Sequence, residues 1–62
     1  MKKEQFNLQF KINNKVTCAE WKQQGLNPST ILSIHEFTFE AKDENGEITR
    51  EFFNKHQWEK VS

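Results

Sequence analysis

The stretch that decides the fold is residues 37–52, FTFEAKDENGEITREF, in which two segments of alternating apolar and polar residues flank Asp43-Glu44-Asn45-Gly46. An Asn-Gly pair between two such segments is the strongest short signal for a β-hairpin, because both residues tolerate the positive φ of tight hairpin turns. The sequence therefore predicts an antiparallel hairpin centred on these four residues.

The register of this hairpin has two alternatives. The apolar residues of both strands share one face only if odd-numbered positions pair with even-numbered ones, because a slip of one residue inverts the faces. A two-residue loop, Asn45-Gly46, opposes glutamates across the strands, whereas a four-residue loop, Asp43 to Gly46, exchanges these repulsions for one attractive pair and is favoured. Either register predicts one shared core face and leaves Phe53 on the opposite face. The predicted core residues of the hairpin are Phe37, Phe39, Ala41, Ile48 and Phe52.

Upstream of the hairpin, the chain predicts a strand followed by a short helix. Residues 6–12 alternate strictly between apolar and polar side chains, which is typical of a half-buried strand, and the asparagines that follow favour a turn. Thr17 and Glu20 have the spacing of a capping box, which predicts a helix that starts at Cys18. Gly25 falls where a left-handed residue ends a helix in a Schellman motif, so the helix is about two turns long.

Two segments complete the predicted fold. Residues 31–42 indicate one long strand whose apolar face changes near His35-Glu36, as in a bulged or sharply bent strand. Residues 53–58 fit either a short helix or a short return strand with Trp58 pointing inward, and both alternatives stay open. The expected fold is α+β, with the order β-α-β-β-(α or β). It consists of a small three-stranded antiparallel sheet, strongly bent or barrel-like, with one short helix between strands 1 and 2.

Composition narrows the class of protein. Sixty-two residues make one domain, 1–62, and the nine basic and nine acidic residues cancel, which argues against a polyanion site formed by the molecule as a whole. No apolar run approaches the length needed for a membrane span or a signal peptide, so no membrane is expected. Cys18 is the only cysteine, which favours a reducing cytoplasm. The Lys-, Asn-, Phe- and Ile-rich composition resembles that of AT-rich genomes and suggests a phage or mobile-element protein.

The candidate chemical groups give no site motif. Cys18, His35 and His56 do not have the spacing of a known metal site, and a lone cysteine is more often a small buried hydrophobic residue than a nucleophile. Both glycines, Gly25 and Gly46, are assigned to chain reversals, so no glycine-rich phosphate loop is present. We therefore expect no catalytic residue, no metal and no cofactor, and the chain is predicted not to be an enzyme.

The leading expectation is a small regulator or inhibitor that binds a larger protein. A core of this size gives roughly 3–5 kcal/mol, so docking on a partner or forming a homodimer is expected. Residues on the face opposite Phe52 form the candidate surface, with tryptophan favoured because it is enriched at binding hot spots. The candidate protein-binding residues are Leu32, Ile34, Phe53 and Trp58.

The alternative is an accessory nucleic-acid-binding protein. It would use the polar face of the predicted first strand, on which lysines contact phosphates while Asn and Gln side chains reach bases. The candidate residues are Lys2, Lys3, Asn7, Gln9, Lys11 and Lys15.

Overall fold

The computed structural model describes residues 1–61, in which two helices accompany one antiparallel sheet of five strands. The elements are α1 (Lys3–Gln9), β1 (Lys15–Thr17), α2 (Ala19–Gln23), β2 (Ser29–Ile34), β3 (Thr38–Lys42), β4 (Ile48–Phe52) and β5 (Glu59–Val61). The strand order is β4-β3-β2-β1-β5. The predicted α+β class is therefore confirmed. The prediction of three strands is wrong, and within residues 1–61 the sheet is open rather than barrel-like, with β4 and β5 at its edges.

The predicted strand at residues 6–12 is wrong, because Lys3–Gln9 forms helix α1. Phe6 and Phe10 lie one helical turn apart and are both buried, whereas Leu8 between them is 83% exposed. Apolar residues at positions i and i+4 share one face of a helix as well as one face of a strand. The Lys, Glu, Gln and Leu residues between and around them favour the helix.

Helix α2 lies between β1 and β2 and ends as predicted. Gly25 has φ of +75°, its N–H bonds to the Lys22 carbonyl at 3.1 Å, and the Leu26 N–H bonds to the Trp21 carbonyl at 3.0 Å, which together form a Schellman motif. The helix begins one residue later than predicted, with Cys18 at the N-cap position. The reason is that residue 17 is held in β1 by its pairing with β5.

The predicted long strand at residues 31–42 is two strands joined by a tight turn. The chain reverses at residues 35–37, where the His35 N–H bonds to the Thr38 carbonyl at 2.8 Å. The predicted change of face is at the right place, but its cause is the reversal between β2 and β3. Within β2, Leu32 is an extra residue between the regular pairs formed by its neighbours, which is a β-bulge.

The predicted hairpin exists between β3 and β4, but neither predicted register is correct. Lys42 pairs with Ile48, so even-numbered positions pair with even-numbered ones. The loop has three residues closed by Asp43, whose N–H bonds to the Glu47 carbonyl at 2.9 Å, and Gly46 takes φ of +85°. This is the three-residue loop in which a turn is followed by a left-handed glycine. The slip of one residue turns Ile48 outward.

This register corrects the predicted core. Phe39 and Ala41 are buried as predicted, but Phe37, Ile48 and Phe52 are 65%, 58% and 59% exposed. Phe53, predicted to lie outside, is 2% exposed. Phe52 and Phe53 do lie on opposite faces, as predicted, but the assignment of inside and outside is inverted.

The core is a stack of aromatic rings between α1 and the sheet. Phe6 is central: its ring centroid lies 4.5 Å from Phe10, 5.0 Å from Phe39 and 4.5 Å from Phe53. Trp58 meets Phe39 edge-on at 5.0 Å. Of the two alternatives for the tail, the helix is wrong and Trp58 points inward as the return strand required, but residues 53–58 form a turn and the strand β5 begins only at Glu59.

Candidate protein-binding site

The outward face of edge strand β4 carries the candidate site. Side chains alternate between faces along a strand, so Thr49 lies on the core side while Ile48, Arg50 and Phe52 point away from the core. We call these three outward residues the β4 surface. Phe37 is also exposed, but it precedes β3 and its carbonyl accepts a hydrogen bond from the Phe53 N–H, so it is not part of the β4 surface.

The backbone of β4 is also available on its outer side. The ladder to β3 includes hydrogen bonds from Asp43 N–H to the Glu47 carbonyl and from Phe53 N–H to the Phe37 carbonyl. Hydrogen-bonded pairs in an antiparallel ladder recur at every second residue, so the odd-numbered positions of β4 bond to β3. The N–H and C=O groups of the β4 surface residues therefore point away from the sheet, along its open edge.

The open backbone edge of β4 ends at Phe52, because Trp58 contacts the carbonyl of that residue. Its indole Nε1–H donates a hydrogen bond to the Phe52 carbonyl at 3.3 Å, which occupies one of the outward backbone groups. The indole ring itself is held in the core, edge-on to Phe39 and to Trp21. The free part of the edge thus runs from Ile48 to the N–H of Phe52.

A polar network lies beside the β4 surface on the same face of the sheet. The Glu40 carboxylate accepts a hydrogen bond from the Ser33 hydroxyl at 2.8 Å and contacts His35 Nε2 at 3.2 Å. These partners, the serine hydroxyl first, hold the pKa of the Glu40 carboxyl below its usual range. Arg50 is only loosely paired with this carboxylate, at 3.7 Å, and its guanidinium remains accessible to a ligand.

The four residues predicted to bind protein do not form an exposed surface. Phe53 and Trp58 are core residues, Trp58 with 7% of its surface exposed. Leu32 occupies the β2 bulge and Ile34 packs against the core, and both are half-buried. Of the apolar side chains of β4, Ile48 and Phe52 are exposed, on the face opposite the core.

The residues predicted to bind nucleic acid do not form a stripe. The prediction aligned them on one face of a strand, but Asn7 and Gln9 belong to helix α1, where two residues differ by about 200° in direction. Lys11 follows the helix and Lys15 begins β1. The lysines at positions 2, 3, 11 and 15 and Gln9 are exposed, and Asn7 is half-buried.

A second group of chemically active side chains lies near the start of α2. Cys18, Glu20 and His56 place a thiol sulfur, a carboxylate oxygen and an imidazole nitrogen within 4.8 Å of one another. Burial raises the pKa of the Cys18 thiol. The pKa of the Glu20 carboxyl is lowered, first by its own backbone N–H and then, against desolvation, by the charge of His56. No local pattern predicts this proximity, because residue 56 is brought near Cys18 by the return of the chain to β5.

The β4 surface was not predicted from the sequence, although the residues around the hairpin loop carry a signal for it. Asp43 precedes the loop, and its carboxylate accepts hydrogen bonds from the N–H groups of Asn45 and Glu47, each at 2.9 Å. Aspartate followed three residues later by glycine is favoured in a type I turn, which fits a three-residue loop with glycine in the left-handed position. This loop implies the even-to-even register and hence the exposure of Ile48 and Phe52.

Comparisons with protein-family models, curated proteins and solved structures find no match to this chain. Neither helix within residues 1–61 is long and apolar enough to cross a lipid bilayer.

Proposed function

We propose that this protein is a small non-enzymatic regulator or inhibitor that binds a larger protein through the β4 surface. The observation that carries the proposal is the exposure of Ile48 and Phe52 by more than half on one face of an edge strand. Single exposed apolar residues are ordinary, but two on one face of a strand whose backbone edge is unpaired favour an interaction site, because an added strand would cover both.

The geometry supports strand addition as the binding mode. An extended segment of the partner would form backbone hydrogen bonds with the outward N–H and C=O groups of β4. Its side chains on the same face would cover Ile48 and Phe52, and apolar area removed from water contributes about 25 cal/mol per Å². Backbone bonding would give affinity, and the two apolar side chains would select the partner.

Arg50 favours a different protein over a second copy of this chain as the partner. It lies in the middle of β4, so antiparallel pairing of two copies about the centre of this strand would place Arg50 opposite Arg50. Like charges directly opposite each other destabilise a strand pair. A partner segment with an acidic residue between two apolar ones matches the β4 surface, and a homodimer through this edge is disfavoured.

Two further observations support a non-enzymatic role in a reducing compartment. Cys18, the candidate nucleophile, is fully buried, and burial raises the pKa of its thiol, which favours the less reactive protonated form. Cytoplasmic location and an origin in a phage or mobile element are part of the proposal and rest on the single cysteine and the composition.

The test is capture of the partner from a lysate of the native host with the tagged full chain. The variant Ile48→Thr/Phe52→Thr places threonine, which favours strands, at both positions of β4 and removes both large apolar side chains. We expect it to reduce capture at least tenfold, while the wild-type complex survives nuclease treatment and moderate salt.

The matched control is Leu8→Gln, which removes an exposed apolar side chain from α1, away from β4. Its capture should equal that of the wild type. Equal capture by Ile48→Thr/Phe52→Thr would contradict the β4 surface as the binding site. Loss of capture after nuclease treatment would instead favour the nucleic-acid-binding alternative.

A further inference from the structure

The cluster of Cys18, Glu20 and His56 joins two distant parts of the chain. Cys18 is the N-cap residue of α2, Glu20 lies in the first turn of that helix, and His56 lies in the turn between β4 and β5. The three candidate ligand atoms lie within 4.8 Å of one another. One of them is buried, one is half-buried and one is exposed, so the cluster has both a protected side and an opening to solvent.

The hydrogen bonding at this cluster is incomplete. His56 Nδ1 is buried without a hydrogen-bond partner, although it lies 3.4 Å from the Glu20 carboxylate. Within residues 1–61, the other buried side-chain polar atom without a partner is Oγ1 of Thr17, the residue next to Cys18. A buried polar atom without a partner costs about 1–3 kcal/mol. The His56 nitrogen lies within 4.8 Å of the other two candidate ligand atoms, which points to a ligand that would satisfy the imidazole.

The donor set suits a particular class of ion. Zinc in proteins binds cysteine sulfur, histidine nitrogen and carboxylate oxygen at about 2.0–2.3 Å, in tetrahedral geometry. These bond lengths put ligand atoms roughly 3.3–3.8 Å apart, so separations of up to 4.8 Å need to contract by up to about 1.5 Å. Calcium and magnesium prefer sets of oxygen ligands and do not fit a thiol and an imidazole.

We propose that Cys18, Glu20 and His56 form a zinc-binding site. The sulfur, the Nδ1 nitrogen and a carboxylate oxygen supply three ligands, and water fills the fourth position on the exposed side next to Glu20. Binding displaces the proton of the Cys18 thiol into solvent, so the ion is held by a thiolate, and the affinity rises with pH. The imidazole binds in its neutral form, with its proton on Nε2.

This site would fasten the turn after β4 to the start of α2. The present links between these segments are contacts between side chains, which include the edge-on packing of the Trp58 and Trp21 rings at 5.1 Å. A zinc ion bound by residues 18, 20 and 56 closes a long loop of the chain, and such closures stabilise small domains that have a limited core. The inference is independent of the proposed protein binding.

The experiment titrates the metal-free full chain with Zn²⁺ and follows tryptophan fluorescence and thermal unfolding. The His56 and Trp58 ring centroids lie 5.1 Å apart, so binding at His56 should change the emission of Trp58. At about a hundredfold excess of Zn²⁺ over Kd, the unfolding midpoint should rise by on the order of 10 °C. Co²⁺ in place of Zn²⁺ should give the near-ultraviolet charge-transfer band of a cobalt–thiolate bond, and Cys18 is the only thiol that could supply it.

The variants identify the ligands. Cys18→Ser should abolish the cobalt–thiolate band. His56→Gln should weaken Zn²⁺ binding at least about 100-fold. Mutation of a residue that only orients a metal ligand already lowers metal affinity about 10–100-fold, and loss of a ligand should lower it at least as much. Glu20→Gln should weaken Zn²⁺ binding at least tenfold. Because Glu20 is exposed, this variant should fold even if the substitution at Cys18 or His56 prevents folding. The matched control His35→Gln should leave binding unchanged.

Three results would overturn the proposal. They are a wild-type chain whose fluorescence and unfolding midpoint do not respond to Zn²⁺, a Co²⁺ complex that lacks the thiolate band, and equal loss of affinity in His35→Gln and His56→Gln.

Discussion

The two faces of the β3–β4 hairpin carry apolar residues of similar kind in opposite environments. On the inner face, Phe39 and Phe53 lie in the aromatic stack around Phe6. On the outer face, Ile48 and Phe52 are exposed by more than half. The difference is one residue of register, because the same alternation serves either face. Where a strand has apolar residues on both faces, turn geometry decides which face is buried in the core and which is exposed.

The largest expected difference in stability between the two faces is at the adjacent residues Phe52 and Phe53. Phe53→Ala should lower the free energy of unfolding by about 3–5 kcal/mol, because it leaves a cavity in the aromatic stack. That loss equals most of the stability expected of a chain of this length. Phe52→Ala should cost less than about 1 kcal/mol, since it removes an exposed ring and its cross-strand contact with Thr38. Urea denaturation followed by circular dichroism measures both.

Phe53→Leu provides a milder version of the same test, in case Phe53→Ala does not fold. It should still be less stable than Phe52→Leu. Equal destabilisation at positions 52 and 53 would mean that the register is not the one described.

The second test concerns the edge of the outer face. Arg50→Pro removes an N–H that points away from the sheet, so the β3–β4 ladder keeps its hydrogen bonds while strand addition at this edge is blocked. We expect binding to the partner captured by the wild-type chain to fall at least tenfold, with the circular dichroism spectrum retained. Isothermal titration calorimetry with the purified partner measures this.

Arg50→Thr is the control for that substitution, since it removes the charge but keeps the N–H. It should weaken binding less than Arg50→Pro does. Equal effects of the two substitutions would show that charge alone, rather than strand addition, accounts for the role of this residue.

The smallest expected effect is the pH dependence of folding stability that Glu40, on the outer face, contributes. The pKa of Glu40 is lowered by the Ser33 hydroxyl and then by His35, with a contribution from Arg50. A carboxyl whose pKa is lower in the folded than in the unfolded state adds stability above its ordinary value of 4.5, and this stability is lost as the pH falls through the folded-state pKa. Glu40→Gln should reduce the fall in urea midpoint between about pH 7 and pH 3.

Glu36→Gln is the matched control, because Glu36 is an exposed glutamate in the turn that precedes β3. The acid-induced fall in stability should be the same in this variant as in the wild type. A fall of unchanged size in Glu40→Gln would show that the Ser33–Glu40 network adds nothing to stability.

Features fixed by neighbouring residues were predictable from the sequence. The end of α2 depends on Gly25 and on bonds within one helical turn, and the turn after α1 depends on Asn13, which takes φ of +78°. Each involves a residue with a conformational preference that few others share. The hairpin loop was located for the same reason, through Gly46.

Features were not predictable where the same spacing of apolar residues fits two different structures, or where the structure depends on a contact between distant residues. Phe6 and Phe10 satisfy both a strand face and a helix face, and only packing against the sheet selects the helix. The turn at residues 35–37 contains no Gly, Pro or Asn, so β2 and β3 looked like one strand. The approach of His56 to Cys18 requires the pairing of β5 with β1, a long-range contact that local patterns do not encode.

The bulge at Leu32 has a consequence for how this chain should be compared with others. Ile31 pairs with Ala41 and Ser33 pairs with Glu40, so the ladder on either side of the extra residue is continuous. A chain one residue shorter at this point could form the same pairs without inverting either strand. Alignments should therefore allow a gap at position 32, where a change of length leaves the core pattern intact, and should penalise gaps elsewhere in β2 and β3.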